Sequence, residues 1–66
     1  MNLIVNGEAK DIKEGSTVRG MLENLGITAA RVAVEVNLEI VPKATFEERI
    51  LQDGDRIEIV HFVGGG

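Results

Sequence analysis

The stretch D-G-D-R-I-E-I-V-H-F-V at residues 53–63 decides the fold, because a turn signal leads directly into the longest strand pattern of the chain. The triplet at 53–55 consists of residue types that favour tight turns. Ile57 and Ile59 then recur at the period of two that is typical of a half-buried strand. The pattern predicts a final β-strand over residues 56–63 with one face turned toward a core.

Two further strand patterns lie upstream of this turn. R-V-A-V-E-V-N at residues 31–37 places three valines on one face of an alternating pattern. Residues 37–39 can turn the chain into a short strand, Ile40-Val41, which Pro42 ends because proline has no backbone N–H for a ladder. The sequence therefore predicts a second hairpin in the middle of the chain.

The first third of the chain predicts a hairpin followed by a helix. Residues 3–5 and 8–12 are strand patterns separated by Asn6-Gly7, a turn pair that tolerates positive φ. Gly15 and Ser16 provide a bend, Thr17 is a helix N-cap, and Gly26 is placed to end the helix near Leu25. The helix would bury a stripe with i, i+3, i+4 and i+7 spacing: Val18, Met21, Leu22 and Leu25.

A capping box is also predicted at residues 45–48, T-F-E-E, where Thr45 and Glu48 would satisfy each other's backbone donors. Only a turn or so of helix fits there before Gln52. The order of elements predicts an α+β fold with a mixed sheet packed on one main helix, which is the order of a β-grasp fold. We expect a single domain over residues 1–63 and a flexible glycine tail at 64–66.

Composition limits the classes of function. The chain has 66 residues, a net charge of −4, no cysteine and one histidine, His61. Its negative charge opposes binding to a nucleic-acid backbone, so no nucleic-acid partner is expected. No apolar run suits a membrane span and no signal-peptide pattern opens the chain, so a cytoplasmic location without membrane contact is expected. This inventory predicts neither an enzyme nor a metal site.

The second face of the final strand carries Glu58, Val60 and Phe62 if Ile57 and Ile59 face the core. Two interpretations of Val60 and Phe62 remain open. The sheet edge can twist so that Phe62 packs under a loop, or the two side chains can form an exposed patch for partner docking. Burial of Phe62 distinguishes them.

Three other features have ordinary explanations. His61, alone and near the strand end, is expected to be a structural or rim residue without chemistry. Asp53 and Asp55 are expected to be solvated turn residues, although paired carboxylates can hold a cation. Acidic side chains are most often simply a solvated face, although together they would also steer the domain toward a basic partner: Glu35, Glu39, Glu47, Glu48, Asp53, Asp55 and Glu58.

The glycine run at residues 64–66 has two interpretations. It can be a frayed end or a cloning remnant. Alternatively, a segment without Cβ atoms can enter a narrow slot and deliver the terminal carboxylate to the active site of another protein. An extended segment from Val63 to Gly66 reaches roughly 10 to 14 Å, which suits a buried active site.

The whole chain resembles the ThiS family, the sulfur carriers of thiamin thiazole synthesis. The resemblance rests on Asn6-Gly7, G-x-T-V at 15–18 with Leu22, V-x-V-N at 34–37 with I-V-P at 40–42, D-G-D-x-I-E-I at 53–59, and V-H-F-V-G-G-G at 60–66. Phe46 stands where relatives often carry a larger aromatic residue and is expected to be a core anchor, and Gly64 precedes the diglycine only in some members. The resemblance implies a ubiquitin-like β-grasp fold.

The resemblance also implies a mechanism. The carboxylate of Gly66 would be adenylated by an E1-like enzyme of the ThiF type and converted to a thiocarboxylate, while Gly65 and Gly64 give it passage. ATP would be used by that partner, so no cofactor is expected on this chain. A sulfur donor protein would supply the sulfur, and a thiazole synthase of the ThiG type would receive it.

Three alternatives keep the same fold. A molybdopterin-type carrier shares the tail chemistry but has a different acceptor. A ubiquitin-like modifier would be joined to lysines through the same tail. A passive β-grasp interaction module would carry its glycines incidentally.

Overall fold

Five strands and one α-helix make up the regular structure of residues 1–62, which the computed structural model describes. The strands are β1 (Asn2–Val5), β2 (Glu8–Asp11), β3 (Val32–Val36), β4 (Glu39–Val41) and β5 (Arg56–His61). The helix α1 spans Val18–Asn24, and two short 3₁₀ turns span Ala29–Arg31 and Lys43–Thr45. Val63, Gly64, Gly65 and Gly66 lie outside the described residues, and so do the predicted strand end and the predicted flexible tail.

The strand predicted from residues 53–63 occupies the centre of the sheet. The strand order is β2-β1-β5-β3-β4. β5 runs parallel to β1 and antiparallel to β3, while β1–β2 and β3–β4 are the two predicted hairpins. The sheet is therefore mixed, and the predicted α+β architecture is confirmed.

The helix forms where the capping signals predicted it. The Thr17 hydroxyl accepts a hydrogen bond from the Gly20 N–H at 3.1 Å, which satisfies one free donor of the first turn. Gly26 has a φ of 73°, and the Ile27 N–H bonds to the Leu22 carbonyl at 2.9 Å to close the helix end. At seven residues this helix is short, and no helix in residues 1–62 is long and apolar enough to cross a membrane.

One hydrophobic core fills the space between α1 and one face of the sheet. Helix residues meet residues from β1, β3, β4 and β5 there, and the core includes Val18, Met21, Leu22, Leu3, Val5, Val32, Val34, Val36, Val41, Ile57 and Ile59. Phe46 is 2% exposed, which confirms it as a core anchor. At about 25 cal/mol per Å² of buried apolar surface, this cluster is the main favourable term for folding.

The predicted capping box at residues 45–48 is wrong. The Thr45 hydroxyl donates to the Pro42 carbonyl at 2.8 Å, so it does not cap a following helix. Thr45 is already the last residue of the second 3₁₀ turn, which begins at Lys43 directly after the proline. The Thr45 carbonyl instead accepts from the backbone N–H groups of Glu48 and Arg49. The local sequence indicated a helical turn in the right region, but its predicted N-cap, Thr45, lies three residues after the observed N-cap, Pro42.

Two asparagines in turns, Asn6 and Asn37, form side-chain hydrogen bonds with β5 at its opposite edges. Asn6 has a φ of 49°, and its side-chain amide both accepts from the Ile59 N–H at 2.7 Å and donates to the Ile59 carbonyl at 3.1 Å. Asn37 has a φ of 52°, and its amide oxygen accepts from the Arg56 N–H at 3.0 Å. Each asparagine tolerates the left-handed conformation and also replaces a missing strand neighbour.

We predict that Asn6→Gly lowers the free energy of unfolding by about 1 to 3 kcal/mol, because two partly buried backbone groups of Ile59 lose their partner. Glycine keeps the positive φ without strain, so the loss reports the amide together with a smaller term, below about 1 kcal/mol, from the freer unfolded chain. Asn6→Ala should cost more, since alanine disfavours that φ. Urea unfolding of both variants measures this, and an Asn6→Gly variant as stable as the parent chain contradicts the role of the amide.

Candidate functional site

The face of the sheet turned away from the helix is the candidate site. Glu58 and Val60 of β5 lie on it because Ile57 and Ile59 point into the core. The strand register places Ala33 opposite Val60, Glu35 opposite Glu58, and Ile40 opposite Glu35. We call this surface the outer face, defined by Ala33, Glu35, Ile40, Glu58, Val60 and Phe62.

The apolar side chains of the outer face are exposed. Val60 and Phe62 are each 58% exposed, and Ile40 is 73% exposed. The Phe62 N–H donates to the Arg31 carbonyl at 2.9 Å, so the ladder with β3 continues one bond beyond β5. Phe62 is therefore not packed under a loop, and the interpretation as an exposed patch next to the glycine segment is the one the geometry supports.

A lysine that the sequence patterns did not single out stands beside Phe62. The Lys43 ammonium nitrogen lies 4.9 Å from the centroid of the Phe62 ring. The same nitrogen donates to the Ala30 carbonyl at 2.9 Å. These contacts join the two 3₁₀ turns to the end of β5, a contact between distant segments that no local sequence signal indicates.

Two carboxylates face each other on the outer face. Glu35 and Glu58 are directly paired across β3 and β5, where Cβ atoms lie about 4.5 to 5.5 Å apart. Among residues 1–62, the ion pairs within 4.0 Å do not include either of them. Like charges directly opposite each other destabilise a sheet, so this pair concentrates negative charge on the outer face at some cost to the fold.

The remaining candidate residues have structural roles or none. His61 ends β5 and is exposed, without a contact that indicates chemistry. Asp53 accepts from the Asn2 N–H at 2.6 Å, and Asp55 accepts from the Gln52 N–H at 2.8 Å and from the Asn37 amide at 3.0 Å. Both aspartates are turn residues, as predicted, and Asp53 is exposed; their hydrogen bonds also stabilise the turn before β5.

The described residues contain no group of three or more His, Asp or Glu side chains that could hold a metal ion. Asp53 and Asp55 use their oxygens on backbone and amide donors, which leaves the cation interpretation without support. The residues expected to carry the reactive end, Gly64, Gly65 and Gly66, lie outside the described part of the chain. The outer face is thus the only part of the predicted site that residues 1–62 can illustrate.

Comparison with known proteins gives matches that extend over the whole chain. The family model described as "ThiS family" matches residues 3–66. The sulfur carrier protein ThiS of Escherichia coli is 35% identical over 66 residues, which cover 100% of both chains. The thiazole synthase of Paramagnetospirillum magneticum is 47% identical over 66 residues, 100% of this chain and 20% of that protein. This chain thus spans only 20% of the length of that thiazole synthase and of another from Magnetococcus marinus.

A solved structure also matches this fold over the whole chain. The crystal structure of the thiamine biosynthesis protein ThiS from Geobacter metallireducens superposes with a TM-score of 0.86 and 36% identity, and the match covers 100% of each chain. The predicted ubiquitin-like β-grasp fold is confirmed by this neighbour together with the mixed sheet and single helix. With a family model over residues 3–66 and a full-length structural match, the chain belongs to the ThiS family.

Proposed function

We propose that this chain is a sulfur carrier protein of thiamin biosynthesis, which acts as a co-substrate of its partner enzymes and is not itself an enzyme. The observation that carries the proposal is the match with the Escherichia coli sulfur carrier protein over the full length of both chains. Two exposed apolar residues, Val60 and Phe62, come just before Val63 and three glycines in the sequence, and they also support the proposal. A carrier needs such a face and a reactive end, and needs no catalytic side chains.

The proposed reactive group is the carboxylate of Gly66. A carboxylate is a poor electrophile because its charge is delocalised, so it must first attack the α-phosphorus of ATP with loss of pyrophosphate. A persulfide of the sulfur donor protein then attacks the acyl carbon and AMP leaves. A thiol reduces the resulting acyl disulfide, which releases the thiocarboxylate. The chain contains no cysteine, so each thiol in this series of reactions belongs to a partner protein.

The proposed partners are an E1-like adenylating enzyme of the ThiF type, which uses the ATP, and a thiazole synthase of the ThiG type. Two proteins named thiazole synthase contain a segment similar to this entire chain, which supports a thiazole synthase as the acceptor. Glycines at 64 and 65 would let the terminal segment enter a narrow active-site slot, since neither has a Cβ atom.

The outer face is the proposed docking surface for the adenylating enzyme. Phe62 and Val60 supply apolar area close to the glycine segment, and Glu58 with Glu35 supplies negative charge beside it. A complementary surface would present a basic side chain flanked by apolar ones. The alternation along the final strand alone indicated Glu58, Val60 and Phe62. The strand registers add Glu35 and Ile40 to the same surface.

We expect the 66-residue chain, coexpressed with an adenylating enzyme of the ThiF type and a sulfur donor, to gain the mass of one sulfur in exchange for one oxygen at Gly66. Intact-mass and fragment-ion mass spectrometry measure this change. A chain with one residue added after Gly66 should show no such gain and the same melting temperature, because the carboxylate is displaced from the active site. Sulfur incorporation by the extended chain contradicts the proposal, and lysine conjugates in its place indicate a protein modifier.

We expect Phe62→Ala to weaken binding to the adenylating enzyme by roughly tenfold or more, since burying an aromatic side chain at an interface contributes on the order of 2 kcal/mol. Its stability should stay within about 0.5 kcal/mol of the parent chain because Phe62 is exposed. Ile59→Ala is the matched control and should lower the free energy of unfolding by about 2 to 5 kcal/mol through a core cavity. Calorimetric binding and urea unfolding separate the effects, and equal losses of stability would identify Phe62 as a core residue.

We expect Glu58→Lys to slow association with the adenylating enzyme by roughly tenfold at low salt, with a smaller effect at high salt. Removing the like-charge contact with Glu35 should leave stability unchanged or raise it by a few tenths of a kcal/mol, about the size of a cross-strand pair. Glu14→Lys makes the same change of net charge at an exposed position off the outer face. Stopped-flow measurements of the association rate at two salt concentrations compare the two variants. Equal slowing by both would show that the effect comes from net charge and not from the position of Glu58.

A further inference from the structure

The Lys43 side chain contacts the ring of Phe62 on the surface, outside the hydrophobic core. Its ammonium group bonds to the Ala30 carbonyl at 2.9 Å and lies 4.9 Å from the Phe62 ring centroid. The next carbonyl, that of Arg31, accepts from the Phe62 N–H at 2.9 Å. The first 3₁₀ turn therefore anchors the backbone of Phe62 directly and its ring through Lys43.

These contacts restrict an exposed aromatic side chain. Phe62 is 58% exposed and lies one residue beyond β5, so the core does not fix its ring. An exposed lysine ordinarily samples many rotamers, and a carbonyl acceptor together with a ring face reduces that freedom. The contact thereby favours one ring orientation before any partner arrives, which lowers the entropy lost on binding.

We propose that Lys43 is a positioning residue that sets the orientation in which Phe62 is presented to the adenylating enzyme. The inference rests on the proposed carrier function for its consequence, although the contact itself is a property of the free chain. Lys43 acts through Phe62 and does not touch the reacting carboxylate. Its loss should raise the KM for the carrier while kcat stays the same, because the acyl group is still delivered to the same active site.

The contact is tested first in the free chain. Protons on the ε-carbon of Lys43 lie over the ring and should resonate upfield of their usual position in an NMR spectrum. Phe62→Leu, which removes the ring current but keeps apolar bulk, should return them to that position. Resonances of Lys43 that Phe62→Leu does not shift overturn the proposal.

The functional consequence is tested by adenylation kinetics with Lys43→Met, Lys43→Arg and the double variant Lys43→Met/Phe62→Ala. A cation–π contact at an exposed site corresponds to roughly a two- to fivefold change, which is the expected rise of KM for Lys43→Met. Arginine keeps a cation over the ring and should restore most of the parent value. Lys13→Met removes a positive charge elsewhere on the surface and should leave KM unchanged.

The double variant distinguishes positioning from direct contact with the enzyme. If Lys43 acts through Phe62, its loss has no further effect once the ring is removed, so the effects on KM are not additive. Additive effects, or an unchanged KM for Lys43→Met with an active parent chain, overturn the proposal. A parent chain that is not adenylated at all overturns the carrier function, and with it the role of Lys43 in activation, which distinguishes the two failures.

Discussion

The fold depends on how β5 is held at the centre of the sheet. On one side it pairs with β3 from Ile57 to His61, but on the other its register with β1 covers only Arg56 and Ile57. Beyond that point the Asn6 side chain supplies the acceptor and the donor that a longer β1 would have offered to Ile59. A turn residue near the start of the chain thus fixes a strand 53 residues later, and the positions of Val60 and Phe62 follow from that register.

Much of the fold could be predicted because its signals are local. The Asn6-Gly7 turn has a φ of 49° and then 83°, and the Thr17 cap and the helix end at Gly26 lie where their residue types indicated. The capping box failed because the motif alone does not tell whether Thr45 precedes a helix or ends a turn begun after Pro42. The roles of the two asparagine amides were also beyond local signals, since each bonds to a strand distant in sequence.

The candidate site was predictable only along one strand. The period of two placed Glu58, Val60 and Phe62 on one face, and all three side chains are exposed in the structure. Glu35 and Ile40 join that face only through the registers of β3 with β5 and β4, which no single segment of sequence specifies. The contact between Lys43 and Phe62 is likewise not specified by any single segment, because it exists only once the second 3₁₀ turn packs beside the end of β5.

The outer face also shows where a small domain can tolerate unfavourable features. The opposed carboxylates cost at most about 1 kcal/mol, and Leu38 adds about 1 to 2 kcal/mol because its φ of 72° is in the left-handed region. Leu38 is also 89% exposed, so its side chain contributes little to the core that could offset this strain. These costs fall on the face and hairpin turn that do not pack against α1, while the buried face is apolar throughout. Because both costs lie outside the core, the packing of the buried apolar cluster is not disturbed by them, and the core can offset them.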